Sequence, residues 1–185
     1  MTDPIPSRPP DARPLVTIRP AGTLDAVWLE RWRAEPTVRQ HQPLSHASTA
    51  QIKSELSRQN PADLYRGRGD KFQWIILANS RPAGWITLVV TNWEHGLGEI
   101  GYALSTVYQR QGLMRTALEF LLDDLFHNTS LARVEARCSV ENQASSAVLE
   151  AIGFTREGLL RQFFVLGRHR IDNYLYSILR TDWCS

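Results

Sequence analysis

The sequence predicts an α/β protein built on a mixed central sheet of about seven strands, flanked by helices. Three observations carry that expectation. Residues 98–104 alternate, with Ile100, Tyr102 and Leu104 on one face, the period-2 mark of a strand. After a short loop, Leu113, Ala117, Leu118, Leu121, Leu122 and Leu125 recur at three- and four-residue steps, one apolar helix face, before Val134, Ala136, Cys138 and Val140 alternate again. Strand, helix and strand in that order imply a parallel pair joined by a right-handed crossover. The stretches on either side of this unit read as hairpins, which makes the sheet mixed.

Composition sets the bounds. The chain has 185 residues, 43% hydrophobic and 22% charged, a globular balance at the size of one domain. A net charge of +2 is too small to argue for nucleic acid as a partner. Cys138 and Cys184 are the only cysteines, so no disulfide framework or zinc spacing can be read. No stretch has the length of a membrane span and the first residues lack a leader's apolar core, so a soluble, cytoplasmic protein is expected.

Taken in order, residues 1–14 hold five of the ten prolines and almost nothing apolar, which predicts an unpacked tail ahead of a single domain over 15–185. A first strand follows at 15–18. Thr23 or Asp25 can cap a helix that carries Leu24, Val27, Trp28 and Trp32 on one side, and a second helix begins near Ser48 with Ile52 and Leu56 inward. These two helices suit a substrate wall, and the tryptophans equally suit the core. The basic, glycine-rich run 66–71 reads as a solvated loop. Residues 72–78 and 83–90 are rich in β-branched and aromatic side chains around a turn at 79–82, a hairpin. Beyond the 133–140 strand, Asn142 caps a helix carrying Ala144, Val148, Leu149 and Ile152, which stops at Gly153. Phe154 to Val165 and Ile171 to Leu179 form a last hairpin about the turn at 167–170.

The loop before the long helix is where chemistry is expected. The first N–H groups of a helix have no intrahelical partner and carry the positive end of its dipole, so they suit a phosphate. Gly112 lets a ligand approach the backbone, and Arg110 and Arg115 can add charge-assisted contacts. Gln109-x-x-Gly112-x-Met114 resembles the acyl-CoA pyrophosphate loop of the GNAT superfamily of acetyltransferases, with Met114 departing from the usual small residue. The run from Gly112 to Leu118 is similar to the RimJ/RimL branch, named for ribosomal-protein N-terminal acetyltransferases. Glu99-Ile100-Gly101-Tyr102, Asn142-x-x-Ser145, Val148-Leu149-Glu150-x-x-Gly153-Phe154 and Asp172-x-x-x-Tyr176-Ser177 extend the resemblance in the right order.

That resemblance implies the GNAT acyl-CoA N-acyltransferase fold, with the strands at 98–104 and 133–140 splayed around acetyl-CoA. It assigns cofactor contacts to Tyr102, Ala103, Leu104, Gln109, Arg110, Gln111, Gly112, Leu113, Met114, Arg115, Asn142 and Ser145, and calls for no metal. Where many members carry a tyrosine that protonates the leaving thiolate, this chain has Leu149. In the RimJ/RimL branch the serine of Asn-x-x-Ser meets the thiolate instead, here Ser145, whose hydroxyl also suits a first-turn bond to backbone.

Acetyl transfer from a thioester needs a neutral amine, a bound oxyanion and a protonated leaving group. Glu99 is the first candidate for the proton acceptor, because a carboxylate among apolar neighbours beside the cleft suits that work; a structural hydrogen bond is the alternative. Glu141 and Glu150 fit less well. The five histidines show no metal-ligand pairing. The expected activity is acetyl-CoA-dependent N-acetylation of a primary amine, by branch resemblance a protein or peptide N-terminus, with polyamines, amino sugars and other small amines open. A non-catalytic acyl-CoA-binding module and a ribosome- or RNA-associated protein are the other classes, and a homodimer is compatible with the sequence.

Overall fold

The computed structural model describes residues 14–184, so the tail expected over 1–14 lies, apart from Pro14, outside the described residues. Seven strands form one sheet: β1 Val16–Pro20, β2 Lys71–Ala78, β3 Arg81–Asn92, β4 Leu97–Leu104, β5 Arg133–Ser139, β6 Thr155–Leu166 and β7 His169–Leu179. Their order is β1-β2-β3-β4-β5-β7-β6, and every neighbouring pair is antiparallel except β4 with β5. Helices α1 Ala26–Arg33, α2 Pro36–Arg39, α3 Thr49–Ser57 and α4 Pro61–Leu64 lie between β1 and β2. Helix α5 Leu113–Asn128 makes the crossover, α6 Gln143–Ile152 follows β5, and α7 Arg180–Trp183 ends the described chain.

Successive strand residues point to opposite faces, and Ile75 and Ile76 divide the core accordingly. Ile76, Leu88, Ile100 and Val134 pack against α5 through Leu118, Leu121 and Leu125, all essentially without solvent contact. On the other face Ile75 and Trp85 meet Leu29 and Trp32 of α1 and Ile52 and Leu56 of α3. Each such aliphatic side chain contributes roughly 1.5–3 kcal/mol when fully buried.

The apolar stripe of α1 differs from the one expected. Leu24 is 88% exposed, and Val27 and Trp28 also face outward, while Ala26, Leu29 and Trp32 are buried. Asp25 sets this rotation. Its carboxylate accepts bonds from Arg19 (2.7 Å) and from the N–H of Gly22 (2.8 Å), and it is 4% exposed. Pinning Asp25 inward turns the following stripe with it, and neither Thr23 nor Asp25 caps α1 with its side chain. The other expected cap is present: Ser48 Oγ accepts the N–H of Gln51, whose side chain returns to the N–H of Ser48. The turn between β2 and β3 is narrower than 79–82, with Asn79 and Ser80 both at positive φ, as a two-residue hairpin turn requires.

One relation matters most for function. The parallel pairing of β4 with β5 runs from Leu97↔Arg133 to Ile100↔Ala136 and then stops, although β4 continues to Leu104 and β5 to Ser139. The sheet opens there, at the carboxyl ends of two parallel strands.

Candidate active site

Backbone alternation fixes which groups of β4 face this opening. Ser105 N–H donates to Ala83 on the β3 side, so Ala103 and Gly101 share that direction and Tyr102 and Leu104 point their backbone groups the other way. Two side-chain amides occupy those carbonyls: Gln42 Nε2 donates to Tyr102 (2.9 Å) and Gln109 Nε2 to Leu104 (3.0 Å).

The loop into α5 has the expected form. Gly112 stands before Leu113 at φ 75, Arg110 is also left-handed at φ 60, and a Cβ added to Gly112 would meet nothing within 4 Å. An open concavity ringed by backbone N–H groups at the start of a sixteen-residue helix fits an anion. The two arginines are unequal. Arg115 is bonded to Glu119 (2.8 Å), whereas among the described residues Arg110 has no ion-pair partner. Gln111 turns its amide to Val107 and does not line the cleft, unlike the other expected cofactor residues, which do.

Tyr102 and Ser145 meet side chain to side chain, Oη to Oγ at 2.8 Å. Asn142 caps α6 by accepting the N–H of Ser145 with Oδ1 (3.1 Å), so the serine hydroxyl stands beside Tyr102 instead of serving the first turn. Burial pushes the Tyr102 phenol well above its ordinary pKa, with the Ser145 hydrogen bond only partly opposing it. The phenol therefore stays protonated, and either hydroxyl of the pair can donate to the other. Leu149 is fully buried in the core and is not among the residues lining the cleft.

Two cavities meet here, one of about 450 Å³ along the helix start and one of about 220 Å³ beside it. Both are lined by His41, Gln42, Tyr102, Asn142 and Ser145. The smaller one contains Glu99, but not in the apolar surroundings expected for it. Glu99 is paired with Arg137, the end of a ladder in which Arg137 also approaches Glu135 (3.6 Å) and Arg133 joins Glu135 (2.9 Å) to Glu157 (3.0 Å). Cross-strand placement explains this, because Glu99 stands directly opposite Glu135 and two like charges need cations between them.

Several residues here were not picked out from the sequence. Arg137 lies over the Phe163 ring at 5.3 Å, and Phe163 and Phe164 both reach the smaller cavity because β6 bulges. Leu160 pairs with Asn173 and Phe164 with Ile171, so three residues stand against Asp172 alone, with Gln162 at φ 52. Glu35 accepts Ser105 Oγ, Thr106 N and Thr106 Oγ1, each at 2.7 Å, and so ties the start of α2 to the end of β4. Its position before Pro36, at a helix start, is the one signal the sequence offered.

Comparison with known proteins agrees with this geometry. The sequence model of a family described as Acetyltransferase (GNAT) domain matches residues 16–155. The uncharacterized N-acetyltransferase p20 of Bacillus licheniformis is 27% identical over 169 residues, 91% of this chain and 94% of the relative. Mycobacterium smegmatis RimJ in complex with CoA-disulfide superposes with a TM-score of 0.76 at 26% identity, over 89% of this chain and 81% of that one. Spermidine N-acetyltransferase from Vibrio cholerae, in complex with CoA and spermine, reaches a TM-score of 0.79 at 18% identity, over 92% and 98%, a likeness of fold alone. Phe163, Phe164 and Asn173 lie beyond the range that the family model matches.

Proposed function

The chain belongs to the GNAT acetyltransferase family, and from that premise we propose that it transfers the acetyl group of acetyl-CoA to the α-amine of a protein or peptide N-terminus. The observation that carries the reading is the pair of cavities meeting at Tyr102, Asn142 and Ser145, one fit for the cosubstrate and the other for the amine. Acetyl-CoA lies with its pyrophosphate over Gly112 and its pantetheine arm along Tyr102–Leu104 in the gap of the sheet. The amine enters through the smaller cavity and attacks the thioester carbon directly. The N–C bond forms, the C–S bond breaks, the nitrogen gives up its proton to solvent by way of Glu99, and the sulfur leaves as a thiolate that accepts a hydrogen bond from Ser145 and takes its proton from solvent. The N–H of Tyr102, on the open edge of β4, stabilises the oxyanion.

The charge balance of the smaller cavity favours a peptide over a polyamine. A polyamine carries several positive charges and calls for several unpaired carboxylates, whereas Glu99 is matched by Arg137. A small amine is the second reading, prompted by the likeness of fold to the spermidine enzyme. Release of free CoA thiol from acetyl-CoA, measured with N-terminal peptides, polyamines and amino sugars, tests the proposal. Turnover with spermidine and none with peptides would transfer the conclusion to the second reading, and no turnover with any amine would leave a CoA-binding module.

A further inference from the structure

Three glycines lie in β3 and β4, the strands that lead to the cleft, and what a side chain would meet differs among them. A Cβ on Gly84 would collide with the Ala103 carbonyl oxygen, and one on Gly98 would stand 2.9 Å from Leu88 Cδ1, so close packing accounts for both. A Cβ on Gly101 would meet nothing within 4 Å. The backbone does not call for glycine there either, because Gly101 is not among the glycines at positive φ. Glycine inside a strand weakens it relative to alanine, and where neither packing nor conformation requires it, the bare Cα marks a place of close approach by a ligand. Gly101 is exposed and lines the smaller cavity. Gly158 is open as well, but it stands at a shift of register in the outermost strand and lines neither cavity.

The neighbours of Gly101 specify what comes close. Strand alternation puts it on the face that carries Glu99 and Ala103, while its own N–H and C=O are turned to Thr87 of β3. The residue therefore offers a ligand space and no hydrogen bond. That space lies between Glu99, the candidate proton acceptor, and Tyr102, whose N–H faces the gap in the sheet. Pro43, Phe163 and Phe164 add apolar surface to the same cavity, which measures about 220 Å³. An amine that attacks a thioester beside Tyr102, with Glu99 within reach, brings its own carbon over Gly101.

We propose that Gly101 is the floor of the acceptor cavity and a specificity-determining residue: the carbon bearing the amine lies against its bare Cα, and the missing side chain sets how large a first residue the site admits. The proposal rests on the N-terminal acceptor reading above and names the group that limits it. A methyl group added at this position takes room from the acceptor in proportion to the acceptor's bulk. In a fitted pocket one such group changes kcat/KM by about ten- to two-hundredfold.

The test compares wild type with Gly101→Ala and Gly101→Val, by release of CoA thiol, on peptides whose first residue is Gly, Ala, Ser or Leu. Gly101→Ala should lower kcat/KM about tenfold for the largest first residue that wild type accepts and little for glycine. Gly101→Val should lower it for all of them. Calorimetry should show CoA affinity unchanged in both variants, since Gly101 lies outside the larger cavity. Melting temperature should hold or rise, because both replacements suit an exposed strand position better than glycine. Equal losses across the peptide series, no loss in either variant, or a lowered melting temperature would overturn the proposal. Peptides left inert by wild type while spermidine is acetylated overturn the N-terminal reading. In that case spermidine turnover cut by Gly101→Val, with CoA affinity intact, still supports the floor, and spermidine turnover untouched by it overturns the floor as well.

Discussion

Tyr102 Oη stands 2.8 Å from Ser145 Oγ, so the hydroxyl expected to meet the leaving sulfur is oriented by a phenol that stays protonated. If the serine acts on the thiolate and the tyrosine acts through the serine, their effects cannot add. Ser145→Ala should lower kcat by about ten- to a hundredfold, one transition-state contact, with affinity for acetyl-CoA nearly unchanged. Tyr102→Phe should lower kcat by a smaller factor. The double variant should match Ser145→Ala alone. Multiplied losses in steady-state kinetics would show that the two residues work independently.

Gly112→Asp should abolish binding of acetyl-CoA. The position is left-handed at φ 75 and its Cβ direction is open, so the new carboxylate occupies the anion's place and strains the backbone as well. Losing Arg110 should weaken binding by about 1–2 kcal/mol, and losing Arg115 by less, because Glu119 already holds its guanidinium. Calorimetry on the three variants ranks them, and equal losses for both arginines would remove the distinction.

Glu99→Gln separates proton acceptance from scaffolding. A base role predicts lower kcat, partly restored at high pH where the amine is neutral without help. A purely structural role predicts a loss of melting temperature with turnover per folded molecule unaltered, since the glutamine leaves Arg137 only the more distant Glu135 as an opposing charge.

Glu35 links acid stability to the cleft. Burial alone would raise its pKa, but the hydrogen bonds from Thr106 N–H and the hydroxyls of Thr106 and Ser105 outweigh burial and lower it below its ordinary 4.5. A depressed carboxylate pKa contributes stability that is complete above the unfolded value and lost as pH falls through the folded one. Wild type should therefore lose stability on acidification below about pH 4.5 more steeply than Glu35→Gln. Urea unfolding of both proteins across that range checks it, and parallel curves would assign no such role to Glu35.

The frame was legible because it rests on local periodicity and end signals: the alternation at 98–104, the stripe of α5, Asn142 and Gly153 bounding α6. The loop around Gly112 was legible for the same reason, since a helix start and a glycine are sequence-local. The error in α1 came from judging its face by hydrophobicity alone, where the Arg19–Asp25 pair decides the rotation. The surroundings of Glu99 were not legible, because Arg137 is thirty-eight positions away and reaches it only once β4 and β5 align. Asn173 was not legible either, because it reaches the smaller cavity only once β7 aligns with β5.

The bulge in β6 has a second consequence, at the sheet's outer margin. A twelve-residue outermost strand presents a row of unpaired amides on which another molecule can template a continuous ladder. Here that row is interrupted in the middle, where Gln162 is left-handed and its own N–H is taken by Asp172 Oδ1 (2.6 Å). Two short, kinked segments remain, with Arg156 and Arg161 exposed along them, and neither offers the flat run that fibrous aggregation requires. The irregularity that brings Phe163 and Phe164 to the smaller cavity thus also breaks the sheet's outer edge into two short segments.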